Sequence, residues 1–247
     1  MSSTLAVPAA SAVLLRDRPL GLEVLMLRRS PAMRFAPGAW VFPGGRVDPA
    51  DLDGASDAAG TDPPRGADPP GADTERAAAA TELAAARRAA ARETAEEAGL
   101  TVDGADLAPL SRWCPPVEAP RRFRTWILVG RAPEQAVVVD GVEISEHRWL
   151  RPRDALAARD AGDLELLPPT WVTLWTLAPH ATVADAVAAA LASPPELFET
   201  QFTKVPGGLL AMWHGDEDYA EASGARHPGA RHRLWMLDAG WRYERAA

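Results

Sequence analysis

The stretch from Thr74 to Ala98 holds neither proline nor glycine and is dominated by Ala, Glu, Arg and Leu, the residues that enter a helix at least cost. Gly99 follows as a C-cap, so the spacing predicts one long helix. Near its end Glu93, Glu96 and Glu97 stand at i, i+3 and i+4, within about 100° of arc on one helical face. Three like charges so close repel one another, and a hard divalent cation would offset that cost, because Mg²⁺ and Mn²⁺ prefer carboxylate oxygens. A solvated acidic face is the plainer reading of the glutamates taken alone. Two further features argue for the cation. Ala84, Ala91, Ala95 and Ala98 fall opposite the carboxylates and would let the helix lie close to a sheet. Upstream, Phe42-Pro43-Gly44-Gly45 offers paired glycines whose backbone can come close to a metal or a phosphate.

The rest of the chain reads as alternating elements. Ala9 to Leu15 and Leu22 to Arg28 form a hairpin around Pro19-Leu20-Gly21. From Asp48 to Asp73 the sequence is mostly Gly, Pro, Ala and Asp, with too few large apolar groups to pack, and reads as a mobile loop. Leu107 to Cys114, Phe123 to Val129 and Ser145 to Leu150 read as strands, and Pro152 to Ala161, Pro169 to Ala178 and Val183 to Ala192 as helices. Past Pro194-Pro195, short strands return at Phe198 to Val205, Gly208 to His214 and Arg233 to Leu237, around a polar loop from Gly215 to Ala230. The expected organisation is a domain over 1–194, with an insertion at about 48–80, and an extension over 195–247 packed on it.

A formal net charge of -8 over 247 residues argues against a surface that coats nucleic acid or anionic lipid. Any phosphate ligand must then be met by local arginines. Cys114 is the only cysteine, which excludes an internal disulfide and fits a reducing cytoplasm. No run of about 18 apolar residues suggests a membrane span. The five histidines lack metal-ligand spacing and read as structural or exposed. Trp171, Trp175, Trp213, Trp235 and Trp241 fall at core-like positions. A homodimer is allowed but not specified.

Arg-Glu-Thr-Ala-Glu-Glu-Ala-Gly-Leu, from Arg92 to Leu100, with Gly45 upstream, resembles the signature of the Nudix hydrolases, here interrupted by the insertion and with Thr94 in place of an aliphatic residue. The isolated glutamate of that signature falls at Ala84, and Glu82 lies about 16 Å before Glu93 along the helix. The resemblance implies an α/β/α sandwich with a mixed sheet. It further implies that Glu93, Glu96 and Glu97 hold Mg²⁺ or Mn²⁺ with the Gly45 carbonyl, that Arg92 orients a glutamate, and that Glu93 or Glu97 is the general base. Glu143 and Glu146 are candidates for an additional ligand.

Ser30-x3-Arg34-x3-Gly38-x3-Phe42-Pro43-Gly44-Gly45 looks like the segment marking the coenzyme A diphosphatase branch of that family. It implies substrate contacts from Arg28, Arg29, Ser30, Arg34, Gly38 and Gly44, the arginines offering forked donors to phosphate. Arg122, Phe123, Trp113 and Trp126 are candidates for the adenine or pantetheine side. The expected reaction is metal-dependent cleavage of the coenzyme A or acyl-CoA diphosphate. NADH, ADP-ribose or nucleoside triphosphates remain alternative substrates, and a silent nucleotide-sensing module is the alternative of another class.

Overall fold

The computed structural model describes residues 6–53, 72–116, 119, 122–221 and 227–246, with the backbone alone for 72–76. Twelve strands, five α-helices and one short 3-10 helix (Gly104–Asp106) follow one another among them. The first sheet is mixed and eight-stranded. It comprises β1 (Val7–Arg18), β2 (Gly21–Arg29), β3 (Trp40–Val41), β4 (Gly44–Arg46), β5 (Ala108–Cys114), β6 (Phe123–Arg131), β7 (Ile144–Leu150) and β8 (Glu196–Glu199). Its main path runs β3-β2-β1-β6-β5-β8, with β4 beside β1 and β7 beside β2. β1 runs parallel to β6 and β5 to β8, while the other pairings are antiparallel.

Strand alternation divides the core in two. Ala10, Ala12 and Leu14 of β1, Leu25 and Leu27 of β2 and Leu128 of β6 meet the helix α2 (Ala72–Ala98) on one face. Val13, Leu15, Val24, Met26 and Val129 meet the helices α3 (Pro152–Asp160), α4 (Pro168–Leu177) and α5 (Val183–Leu191) on the other. This is the expected layering of helices about a mixed sheet. Proline occupies the first turn of α3 and α4, where its missing N–H costs nothing. The Thr182 hydroxyl caps α5 by accepting the Asp185 N–H at 3.1 Å.

The long helix starts two residues before its expected limit and ends where predicted. Gly99 has φ +65°, and its N–H donates to the Ala95 carbonyl, so the left-handed cap is occupied by the residue that adopts it most readily. Which alanines face the sheet differs from the expectation. Ala85, Ala86, Ala89, Ala90 and Ala98 are buried, while Ala95 is exposed and Ala84 and Ala91 are half-covered. The buried stripe continues through Glu93 and Glu97, so these carboxylates point toward the sheet edge and not away from it. Part of the expected loop is also helical, for α1 (Pro49–Leu52) forms a single capped turn. The remainder, 54–71, lies outside the described residues.

A second, antiparallel sheet is formed by β9 (Gln201–Val205), β10 (Gly208–Met212), β11 (Arg231–Leu237) and β12 (Gly240–Ala246) in the order 12-11-10-9. β12 has no counterpart among the expected strands, because its charged residues break the hydrophobic alternation. Trp213 packs edge-on against the stacked rings of Trp113 and Phe198. Arg233 is buried between Asp216 and Asp218. Of the five tryptophans assigned to the core, only Trp171 and Trp213 are fully buried. Trp175 and Trp241 lie at the seam against Tyr243 and Trp171.

The observed stripe makes a specific prediction. Ala90→Leu should destabilise the chain in urea by about 1–3 kcal/mol through overpacking, whereas Ala95→Leu should change stability by less than about 0.5 kcal/mol. The reverse order would place the sheet on the other side of the helix.

Candidate active site

Helix α2 delivers its last two turns against β4, and the two glycines make the approach geometrically feasible. A Cβ on Gly45 would overlap the Glu93 carboxylate, and one on Gly44 would overlap the β1 backbone. The Gly44 N–H donates to Glu97 Oε2 at 2.8 Å. Glu97 is 4% exposed, and this is its one hydrogen bond among the described residues. Burial pushes its carboxyl up to about 8, opposed by the Gly44 bond and the Arg29 charge and reinforced by the negative charges of Glu93 and Glu143. Burial also raises Glu93, against the pull of Arg92.

Arg92 is the hub of the surrounding charge. Its guanidinium donates to Glu93 Oε1 at 2.9 Å, Glu96 Oε2 at 3.0 Å, Asp51 Oδ2 at 3.0 Å and the Arg46 carbonyl at 2.9 Å. Burial disfavours its charge, but the bonds to Asp51 and Glu93 more than compensate and hold it protonated. Asp51 and the Asp48 N–H that donates to it come from α1. Arg88 Nε donates to the Asp51 carbonyl at 2.6 Å and ties that turn to α2. Asp51 stands in no motif that the sequence displays, although Asp48-Pro49 is a recognisable helix start.

The expected site residues divide by face. Glu93 and Glu97 converge on Gly44 and Gly45; Glu96 is largely exposed and held aside by Arg92. Glu143 and Arg29 lie near enough for their charges to act on Glu97. Arg28 and Glu146 do not join them. They pair across β2 and β7, at 3.5 Å, on the face that carries Met26, and Glu146 also pairs with Arg148. One step along a strand reverses the side chain's face, which separates Arg28 from Arg29. Glu82 is likewise remote, engaged with Arg112, Arg124 and the Trp126 indole.

Ser30 and Gly38 are both engaged by the chain's own backbone, and the Ser30 N–H donates to the Glu143 carbonyl at 2.7 Å, just before β7. The Ser30 hydroxyl accepts the Ala32 N–H at 3.4 Å, and Gly38, at φ +78°, donates to the Arg29 carbonyl. Arg34 is exposed on the loop between β2 and β3. The Gly44 amide, expected to face substrate, is engaged by Glu97 instead.

The donor set suits a hard divalent cation: two carboxylates raised by burial, a third acidic charge in Glu143, and a glycine strand with no side chain to bar an ion. Among the described residues no three acidic, His or Cys side chains already converge as a cage, because Arg92 and Gly44 draw the carboxylates to separate partners.

No family model matches the chain, and no curated protein matches it. Solved structures do. A Nudix hydrolase from Alicyclobacillus acidocaldarius is 27% identical, with 76% of this chain and 97% of that chain covered and a TM-score of 0.59. A MutT protein from Methanosarcina mazei Go1 is 20% identical over 71% of this chain and 94% of that one, with a TM-score of 0.44. A Caenorhabditis elegans Ap4A hydrolase is 21% identical over 76% and 98%, with a TM-score of 0.42. The fold is that of the Nudix hydrolases, with an additional C-terminal sheet. The Alicyclobacillus likeness, together with the Arg92 to Leu100 motif, supports the Nudix family and a hydrolase acting on phosphoanhydride bonds. No described helix is long and apolar enough to cross a membrane.

The raised carboxyl of Glu97 gives the cation-free chain a pH signature. Unfolded, the group titrates near 4.5; folded, near 8. Between those values the folded chain holds the extra proton, so stability falls as pH rises through the window. The unfolding free energy measured in urea without divalent ions should drop from pH 5 to pH 8, on the order of a few kcal/mol, and Glu97→Gln should remove most of the drop. A parent profile that is flat or rising would contradict the assignment.

Proposed function

We propose that the chain is a divalent-metal-dependent diphosphatase acting on coenzyme A or acyl-CoA, releasing adenosine 3′,5′-bisphosphate and (acyl-)4′-phosphopantetheine. The observation that carries the reading is the buried Glu97, set with Glu93 against the Gly44-Gly45 backbone. Mg²⁺ or Mn²⁺ would be held by Glu93, Glu97 and the Gly45 carbonyl, with Glu96 and Glu143 within the same acidic region. Such an ion, when bound, neutralises the diphosphate and acidifies the attacking water.

The chain's own groups divide the remaining work. Arg92 holds Glu93 and Glu96 in place and stays protonated throughout. Between the two candidate bases Glu97 is favoured. Glu93 Oε1 is occupied by Arg92, whereas Glu97 engages the Gly44 amide through Oε2 and keeps Oε1 available to a water. Arg29, whose charge reaches Glu97, would meet a substrate phosphate. The Ser30, Arg34 and Gly38 spacing supports coenzyme A over other nucleoside diphosphate derivatives. A cytoplasmic, small-molecule role agrees with the acidic net charge and the single cysteine.

A substrate panel of coenzyme A, acetyl-CoA, NADH, ADP-ribose and nucleoside triphosphates, with products identified by mass spectrometry, tests the reading. The expected result is fastest turnover of the coenzyme A compounds to the two named products, with Glu97→Gln lowering kcat by about 10²–10⁴-fold. Preference for NADH or ADP-ribose would overturn the substrate assignment, and equal rates for Glu97→Gln would overturn the catalytic one.

A further inference from the structure

β4 presents a second group of side chains on the face turned away from α2. Gly45 faces Glu93, so the next residue, Arg46, projects from the opposite side of the strand. There its guanidinium carbon lies 5.7 Å from the centre of the Phe123 ring, within cation–π range. The strand register accounts for the meeting: Arg46 pairs with Ala9 of β1, and Val7, on the same side of β1, pairs with Phe123 of β6. Phe35, from the loop between β2 and β3, completes the group. Its ring centroid is 6.0 Å from that of Phe123, at 59°, yet the residue is 45% exposed.

Phe35 is supported from below by Phe123 and left open to solvent, while Arg46 and Arg34 bring positive charge to a chain that is strongly acidic overall. The other aromatics considered for base contacts are closed off. Trp113 is buried against Phe198, and Trp126 lies beneath α2 with its indole N–H bonded to Glu82. Arg46 also links the two faces of β4, because its carbonyl accepts from Arg92 at 2.9 Å while its side chain covers Phe123. A ligand joining a flat ring to a diphosphate could span both.

We propose that Phe35, Phe123 and Arg46 form a stacking platform for the heteroaromatic base of a nucleoside phosphate. The base lies on the open face of Phe35 with Arg46 beside it, and the phosphates run over the β4 edge toward Glu93 and Glu97. The path of the phosphates rests on the hydrolase reading above; the stacking itself does not.

The test uses AMP and ribose 5-phosphate as probes of the full-length chain in metal-free buffer, where neither ion nor turnover is required. Saturation-transfer NMR on the parent should show the adenine H2 and H8 protons most strongly saturated. Phe35→Ala should weaken AMP binding at least about 5-fold, the lower end of what one base–aromatic stack contributes, and leave ribose 5-phosphate unchanged. Phe35→Tyr should bind AMP like the parent, which separates loss of stacking from loss of fold. The platform is excluded if the parent shows no AMP saturation, if saturation is confined to the ribose protons, or if Phe35→Ala binds AMP as the parent does. Failure here leaves the diphosphatase reading standing, and an inactive chain that passes this test retains the platform.

Discussion

The close approach of a helix end to a glycine strand is the constraint on which the site depends. Glu93 can face β4 only because Gly45 has no side chain to stand between them, Gly44 lies flush against β1 for the same reason while its N–H holds Glu97, and the helix can lie so near only because its buried stripe is alanine. Small residues on both partners therefore place two carboxylates in a desolvated position. Their ionisation is penalised until positive charge arrives.

Arg92 manages that penalty without cancelling it. Its fork spreads over Glu93, Glu96, Asp51 and a backbone carbonyl, which fixes the helix end to α1 and β4 together. Glu97 is left outside this network, with a backbone amide as its partner. The result is an asymmetric pair in which one carboxylate is braced by a cation and its neighbour one turn later is raised and available. Environments that push neighbouring titratable groups apart are a common way to assign different tasks to the same residue type.

Much of this arrangement was legible in the sequence. The helix, its Gly99 cap, the hairpin and the three helices that follow β7 come from periodicity and breakers, which act locally. The mixed layering and the Arg92 to Leu100 motif were also readable. Less accessible was anything depending on which face a residue takes. The alanine stripe was misplaced because an alanine-rich helix carries almost no amphipathic signal, so the true stripe, Ala85, Ala86, Ala89 and Ala90, looks like its neighbours. Arg28 and Arg29 could not be told apart until strand parity put them on opposite sides of the sheet, and Glu146 went with Arg28. Strand β12, dominated by Arg and Glu, pairs through its backbone and gives no hydrophobic alternation to read.

The central claim is that Glu93 and Glu97 wait for a divalent cation. Calorimetric titration of the metal-depleted chain with Mn²⁺ at pH 7, repeated in buffers of different ionisation enthalpy, measures it directly. Because the folded Glu97 carboxyl titrates near 8, ion binding should be saturable and should expel a proton into the buffer, and Glu97→Gln should abolish the proton release and weaken the ion. Undetectable Mn²⁺ binding, or binding and proton release that Glu97→Gln leaves intact, would contradict the account.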